Sequence, residues 1–210
     1  MRPVTVQVGP LATANASGIG SAAAGVSTVT ISNGTLDTPR RVLITPTGVT
    51  GESSNVFTIV GTNASGMPQT EVLNGAATAF YTNLDFATVI SITSKNNIGN
   101  TGITVGTNSV ASSPWVRLDD YSLSQTAIQC TVSGTATYTI QQTLQDPNSP
   151  TNPVAPYSVT WLNSSDSAAV NATTSIQSSY QYSPAFAKVT LTSGTGSVTA
   201  TFTQFGVAPY

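Results

Sequence analysis

Among the carboxylates of this chain, Glu52, Glu71, Asp85, Asp119, Asp120, Asp146 and Asp166 are available for the acid and base of glycoside cleavage, which needs only two such groups a few ångströms apart. A working pair of that kind sits among aromatics and donors on a rigid cleft. These acids mostly lie in turns beside Ser, Asn and Pro, the setting of a solvated turn carboxylate. The chain has no His and one Cys, so neither a Ser-His-Asp nor a Cys-His relay can be built, nor a zinc site of the usual His/Cys kind. Asp119-Asp120 could offer oxygens to a calcium ion together with loop carbonyls, yet no D-x-D-x-D-G spacing surrounds them. We expect no enzyme, no catalytic or metal residue and no cofactor, and read Asp119 and Asp120 as partners for Arg117 or for a neighbouring chain.

The other conspicuous side chains would act by contact. Arg40-Arg41 follows Pro39 at the start of a strand ending Leu43-Ile44, where an exposed strand start and an ion pair across a subunit boundary both fit. Trp161 shares parity with Tyr157 and Val159, which places it in a core between two sheets rather than on a sugar-stacking platform. Trp115 lies in SSPWVRLDDY, where it would fill a junction between modules or anchor a partner. Val4, Val6 and Val8 alternate along an N-terminal strand that could add to a neighbour's sheet or pair with the chain's own second half. The expected partner contacts are therefore Val4, Val6, Val8, Arg40, Arg41, Trp115, Arg117, Asp119 and Asp120. Cys130 shares parity with Ile128 and Val132 and reads as a small buried hydrophobe.

The elements that carry these residues are strands. Val198, Ala200 and Phe202 alternate with Thr199, Thr201 and Thr203, and Ala136, Tyr138 and Ile140 with Thr137 and Thr139, giving one apolar and one hydroxyl face as a half-buried antiparallel strand requires. No window shows helical spacing. Turn dipeptides such as Asn33-Gly34, Asn74-Gly75 and Ser193-Gly194 separate the runs. A pattern recurs about 100 residues apart: FATVISITS from Phe86 answers FAKVTLTS from Phe186, each followed by a second run, GITVGT from Gly102 and VTATFT from Val198, while VFTIVGT from Val56 answers TYTIQQT from Thr137. Each copy reads as a strand, an excursion and a closing hairpin. The expected architecture is all-β, with two tandem antiparallel β-sandwich domains of Ig-like or jelly-roll-like type: an N-terminal strand and flexible arm over 1–25, a first sandwich over 26–110, a linker over 111–120 and a second sandwich over 121–210. QDPNSPTNPVAPY, from Gln145, holds four prolines and reads as a long loop inside the second module.

Only 7% of residues are charged, net charge is -2, and Ser plus Thr make up about 29%. Six scattered cations cannot form the basic stripe that nucleic-acid binding needs. No stretch approaches the apolar length of a membrane helix, and Met1-Arg2-Pro3 followed by alternating valines lacks the continuous apolar run of an export leader, so the expected site of synthesis is the cytoplasm, which under the resemblance given below is that of a bacterial host. With two lysines to blunt its sheet edges, the chain is expected to cover some of them in a homo-oligomer.

The stretch from Val42 to Thr107 resembles a module of tailed-bacteriophage structural proteins: a VxIT-like strand, an FTIxGT-like strand at Phe57 to Thr62, NASG at Asn63, Thr70-Glu71, and a late FxxVxSI strand at Phe86 to Ile92. The second half is similar to a companion sandwich ending in VTATFTQFG from Val198. The resemblance implies a virion structural protein, a decoration or cement protein binding the major capsid protein, with a neck, tail or head-fibre component as the rival. It carries over no functional residue. A carbohydrate-binding or adhesion module is the more distant alternative.

Overall fold

The computed structural model of the chain describes residues 2–48, 51–99, 101–118 and 125–204. It is all-β, and among the described residues the only helical segments are two 3-10 turns, Pro156–Ser158 and Ser167–Ala169. The chain forms two compact units. One is discontinuous, Met1–Leu11 with Val110–Tyr210; the other, Ala12–Ser109, is inserted between its two pieces. β1 (Arg2–Val8) opens the discontinuous unit. The inserted unit holds β2 (Gly20–Ala22), β3 (Thr30–Ile31), β4 (Thr35–Pro46), β5 (Val56–Thr62), β6 (Pro68–Asn74), β7 (Phe80–Ser94) and β8 (Ile103–Thr107). The discontinuous unit resumes with β9 (Ala111–Ser112), β10 (Val116–Arg117), β11 (Thr126–Ser133), β12 (Ala136–Thr143), β13 (Leu162–Asn163), β14 (Ile176–Tyr180), β15 (Phe186–Gly194) and β16 (Ser197–Gln204).

The inserted unit is one curled antiparallel sheet in the order β3-β2-β8-β4-β7-β5-β6. The curl comes from β7, whose 15 residues outrun β4: where β4 leaves it, segment 27–34 takes the vacated edge through Val29 N to Ile92 O (3.0 Å), Ser94 N to Ser27 O (2.8 Å) and Val89 N to Gly34 O (2.6 Å). Inside the curl Val42, Ile44, Phe57, Ile59, Phe86, Ile92 and Val105 are fully buried. Each such side chain contributes about 1.5 to 3 kcal/mol. The Ala/Gly/Ser stretch read as a flexible arm is built into this unit instead. Gly20 in β2 passes so close to the backbone of Thr30 that a Cβ would collide with its carbonyl oxygen, so the small residues there serve close backbone approach.

The discontinuous unit has two sheets, β1-β16-β11-β14 and β10-β15-β12-β13, with β9 also on β15. Their inward residues share one core, in which Ile128, Cys130, Val198, Ala200 and Phe202 from the first sheet meet Tyr138, Ile140, Ala187, Val189 and Leu191 from the second. Strands β11 and β12 are consecutive, yet each belongs to a different sheet, as do β15 and β16. Such short corners need left-handed backbone, supplied by Gly134 (φ 76°) and Gly194 (φ 95°). Two expectations fail here. Neither β7 with β8 nor β15 with β16 forms the closing hairpin, since β8 pairs with β4 and β2 and β16 with β11 and β1. The segment read as a linker over 111–120 carries β9 and β10, both hydrogen-bonded to β15.

Candidate functional site

The outer side of β15 carries a cluster of three aromatic and two cationic residues, Trp115, Trp161, Phe186, Arg117 and Lys188. Phe186 and Lys188 leave β15 on the face opposite Ala187 and Val189, as period-2 geometry demands. Trp115, just before β10, meets Trp161 edge-on at 4.9 Å between ring centroids and Phe186 at 5.9 Å. The Lys188 ammonium lies 4.2 Å from the Trp161 centroid and the Arg117 guanidinium 5.3 Å from that of Phe186, both within cation–π range. Arg117 also reaches Asp146 at 2.9 Å, which ties the start of the proline-rich loop to β10. Trp115 and Arg117 thus both meet Phe186 within their own unit, and Trp161 sits on this outer layer rather than between sheets. Its parity argument fails because Pro156–Ser158 is a 3-10 turn and no strand runs from Tyr157 to Trp161. The sequence signal for Lys188 and Phe186 is their parity opposite Ala187 and Val189.

Beside this layer a groove of about 360 Å³ opens where β12 ends, lined by β13 and the turn after β14. The two most exposed large apolar side chains among the described residues, Leu144 (83%) and Tyr182 (77%), line it together with Leu162 (62%). The one available signal was Leu144 breaking the strand pattern at the edge of the proline-rich loop.

In the inserted unit Arg40, Arg41, Glu52 and Glu71 are buried, while Asp37 and Lys95 are exposed. Arg40, expected at an exposed strand start or subunit boundary, is fully buried and donates to the carbonyls of Asn108 (3.0 Å) and Ala12 (2.9 Å) while pairing with Asp37. Arg41 is buried as well; it donates to the Thr82 carbonyl (2.9 Å) and pairs with Asp85 (3.1 Å). The reason is a bulge in β7. Between Arg41↔Asp85 and Leu43↔Tyr81 the register shifts, leaving the N–H groups of Asn83 and Leu84 without β4. Glu71 of β6 accepts both, at 2.7 and 2.9 Å, and the Thr82 hydroxyl accepts from Val42 N and donates to the Leu84 carbonyl. Burial pushes the Glu71 carboxyl above its ordinary value, against the pull of those N–H groups and of Arg41. Partial burial also pushes Asp37 up, but the Ala12 N–H and the Arg40 guanidinium outweigh it and hold that carboxyl below its ordinary value.

The other carboxylates are tied to the backbone too. Glu52 accepts from Gly99 N (2.7 Å) and from the Asn55 amide (3.0 Å), and Asp166 caps the turn at Ala168 N (3.0 Å). Chemically, these arrangements fasten loops and bulges.

The N-terminal valines lie on β1, which pairs along its whole length with β16 and forms an edge of its sheet. Val8 is in the core, Val6 packs against it, and Val4 is exposed. Of the two possibilities for this strand, pairing with the chain's own second half is the one observed. The outer face of that sheet is uncharged along cross-strand rows such as Thr5, Thr201, Gln129 and Gln177. Asp119 and Asp120 lie outside the described residues. Cys130 is buried, and burial pushes its thiol up to about 11. No protein-family model, no curated protein and no solved structure matches the chain.

Proposed function

We propose that this protein is a non-enzymatic structural component of a tailed-phage virion, built from two antiparallel β modules of which one is inserted into the other after the N-terminal strand, and that it decorates and reinforces the head. The observation that carries the reading is an inversion of polarity. Arg40, Arg41, Glu52, Glu71 and Lys188 are buried, while Leu144, Tyr182, Ile90, Leu162 and Met67 stand in solvent. Buried charge and exposed apolar bulk are the informative departures from ordinary surfaces, and together they leave an outside suited to contact rather than to electrostatic steering. Two facing sheets around one core support the sandwich reading of the discontinuous unit. The curled sheet supports a more barrel-like variant in the inserted one.

Open edges supply the second half of the mechanism. Among the described strands β6 pairs with β5 alone, and its single charge, Glu71, is turned inward, so its outer edge lacks the lysines that usually discourage strand addition. Contacts with the major capsid protein through such edges, repeated over many copies, would stabilise a shell by mass action. The test is quantitative mass spectrometry of purified particles. A copy number comparable with the major shell protein's supports decoration of the head, one ring's worth moves the chain to neck or tail, and absence from particles overturns the proposal.

A further inference from the structure

We infer that the groove bounded by Leu144, Leu162 and Tyr182 is the contact through which a second copy of this chain binds. The inference rests on the reading that the protein works by association, and it names the surface and the occupant. Three of the most exposed large apolar side chains converge on one depression of about 360 Å³, where isolated apolar residues would be scattered.

The occupant follows from what surrounds the groove. None of its lining residues is charged; the polar ones are Gln142, Gln181, Ser183 and their hydroxyl or amide neighbours. A patch that faces its own twin meets itself, so any net charge would repel, and an uncharged lining removes that penalty. The chain's net charge of -2 adds little repulsion at longer range. The patch also carries a knob and a hole side by side. Tyr182 stands out from the rim, 77% exposed, next to a groove with room for a phenol ring. Under a two-fold rotation each Tyr182 enters the partner's groove, the reciprocal arrangement an isologous dimer needs. A large aromatic ring seated in a closed pocket is the usual anchor of such a contact, with Leu144 and Leu162 excluding water around it. β13 lies alongside and pairs with β12 alone among the described strands, so its outer backbone edge is open to the twin's β13.

Sedimentation velocity of the full chain from about 1 to about 100 micromolar tests this. The wild-type chain is expected to dimerise, and Tyr182→Arg and Leu162→Lys to weaken association at least about 30-fold, as loss of an interface anchor does. Ile90→Arg, an equally exposed site in the inserted unit, should leave it unchanged, and circular dichroism melts should coincide for all four proteins. A wild-type chain monomeric throughout, or a Tyr182→Arg chain that associates like wild type, overturns the inference. Binding to particles, measured separately, distinguishes the two readings: a monomeric chain whose particle binding is lost in Tyr182→Arg assigns the groove to a shell protein and rejects the second copy, whereas a dimer that ignores particles keeps the groove contact and rejects the virion role.

Discussion

The two units enclose their cores by different routes. The discontinuous unit faces two sheets across an apolar filling, so its strands run without bulges at the first sheet and need no buried charge there. The inserted unit curls one sheet, and the bending of β4 and β7 breaks the ladder at the Arg41/Leu43 shift. The orphaned backbone groups are then satisfied by Glu71, Thr82 and Arg41. Curvature is what places Glu71 and the Arg41–Asp85 pair inside the inserted unit. A buried donor left without its acceptor costs about 1 to 3 kcal/mol, which explains why a carboxylate is retained in the interior at all.

Both tryptophans, Trp115 and Trp161, lie in the discontinuous unit, so indole emission follows that unit while far-ultraviolet circular dichroism follows both. The largest expected effect is Phe202→Ala, which removes a fully buried ring from the shared core and should cost about 3 to 5 kcal/mol, lowering the urea midpoint read by emission. Glu71→Ala should cost about 2 to 4 kcal/mol through the orphaned N–H groups of Asn83 and Leu84, and here the dichroism midpoint should fall while emission stays in place. A common shift of both probes would break the comparison.

The pH dependence sharpens it. Since burial raises Glu71 above its ordinary 4.5, the fold favours the protonated form; that contribution is complete below about pH 4.5 and is lost as pH rises through the folded value. Asp37 has the opposite sign. Held below its ordinary 3.8, it contributes above that pH and the contribution is lost as pH falls through the folded value. Urea midpoints by dichroism against pH should therefore lose their decline above pH 4.5 in Glu71→Gln and lose their acid fall in Asp37→Asn. The smallest effect is expected at Arg117→Ala, a partly exposed pair with Asp146, about 0.2 to 1 kcal/mol and diminished by salt.

The strands were legible because period-2 alternation is a local property: Val198, Ala200 and Phe202 face the core, while Thr199, Thr201 and Thr203 face the other way, with only their pairing left to find. Pairing is not local. FATVISITS and FAKVTLTS look like twins, and β7 and β15 do pair with the corresponding strands β5 and β12, but their flanking partners differ, which gives one curled sheet in one case and two facing sheets in the other. The burial of Arg40 and Arg41 is not local either, since nothing near Pro39 announces that Asn108, Ala12 and Thr82 will arrive to receive their donors. The groove at Leu144, Leu162 and Tyr182 joins three segments distant in sequence, and only the folded chain brings them together.

The most direct test of the central claim, that this protein works by covering its apolar faces against neighbours, is imaging of intact particles at a resolution that traces the chain. The chain is expected on the shell with the groove at Leu144, Leu162 and Tyr182 and the outer edge of β6 occupied. A chain bound with those faces open to solvent, or missing from the particle, would contradict it.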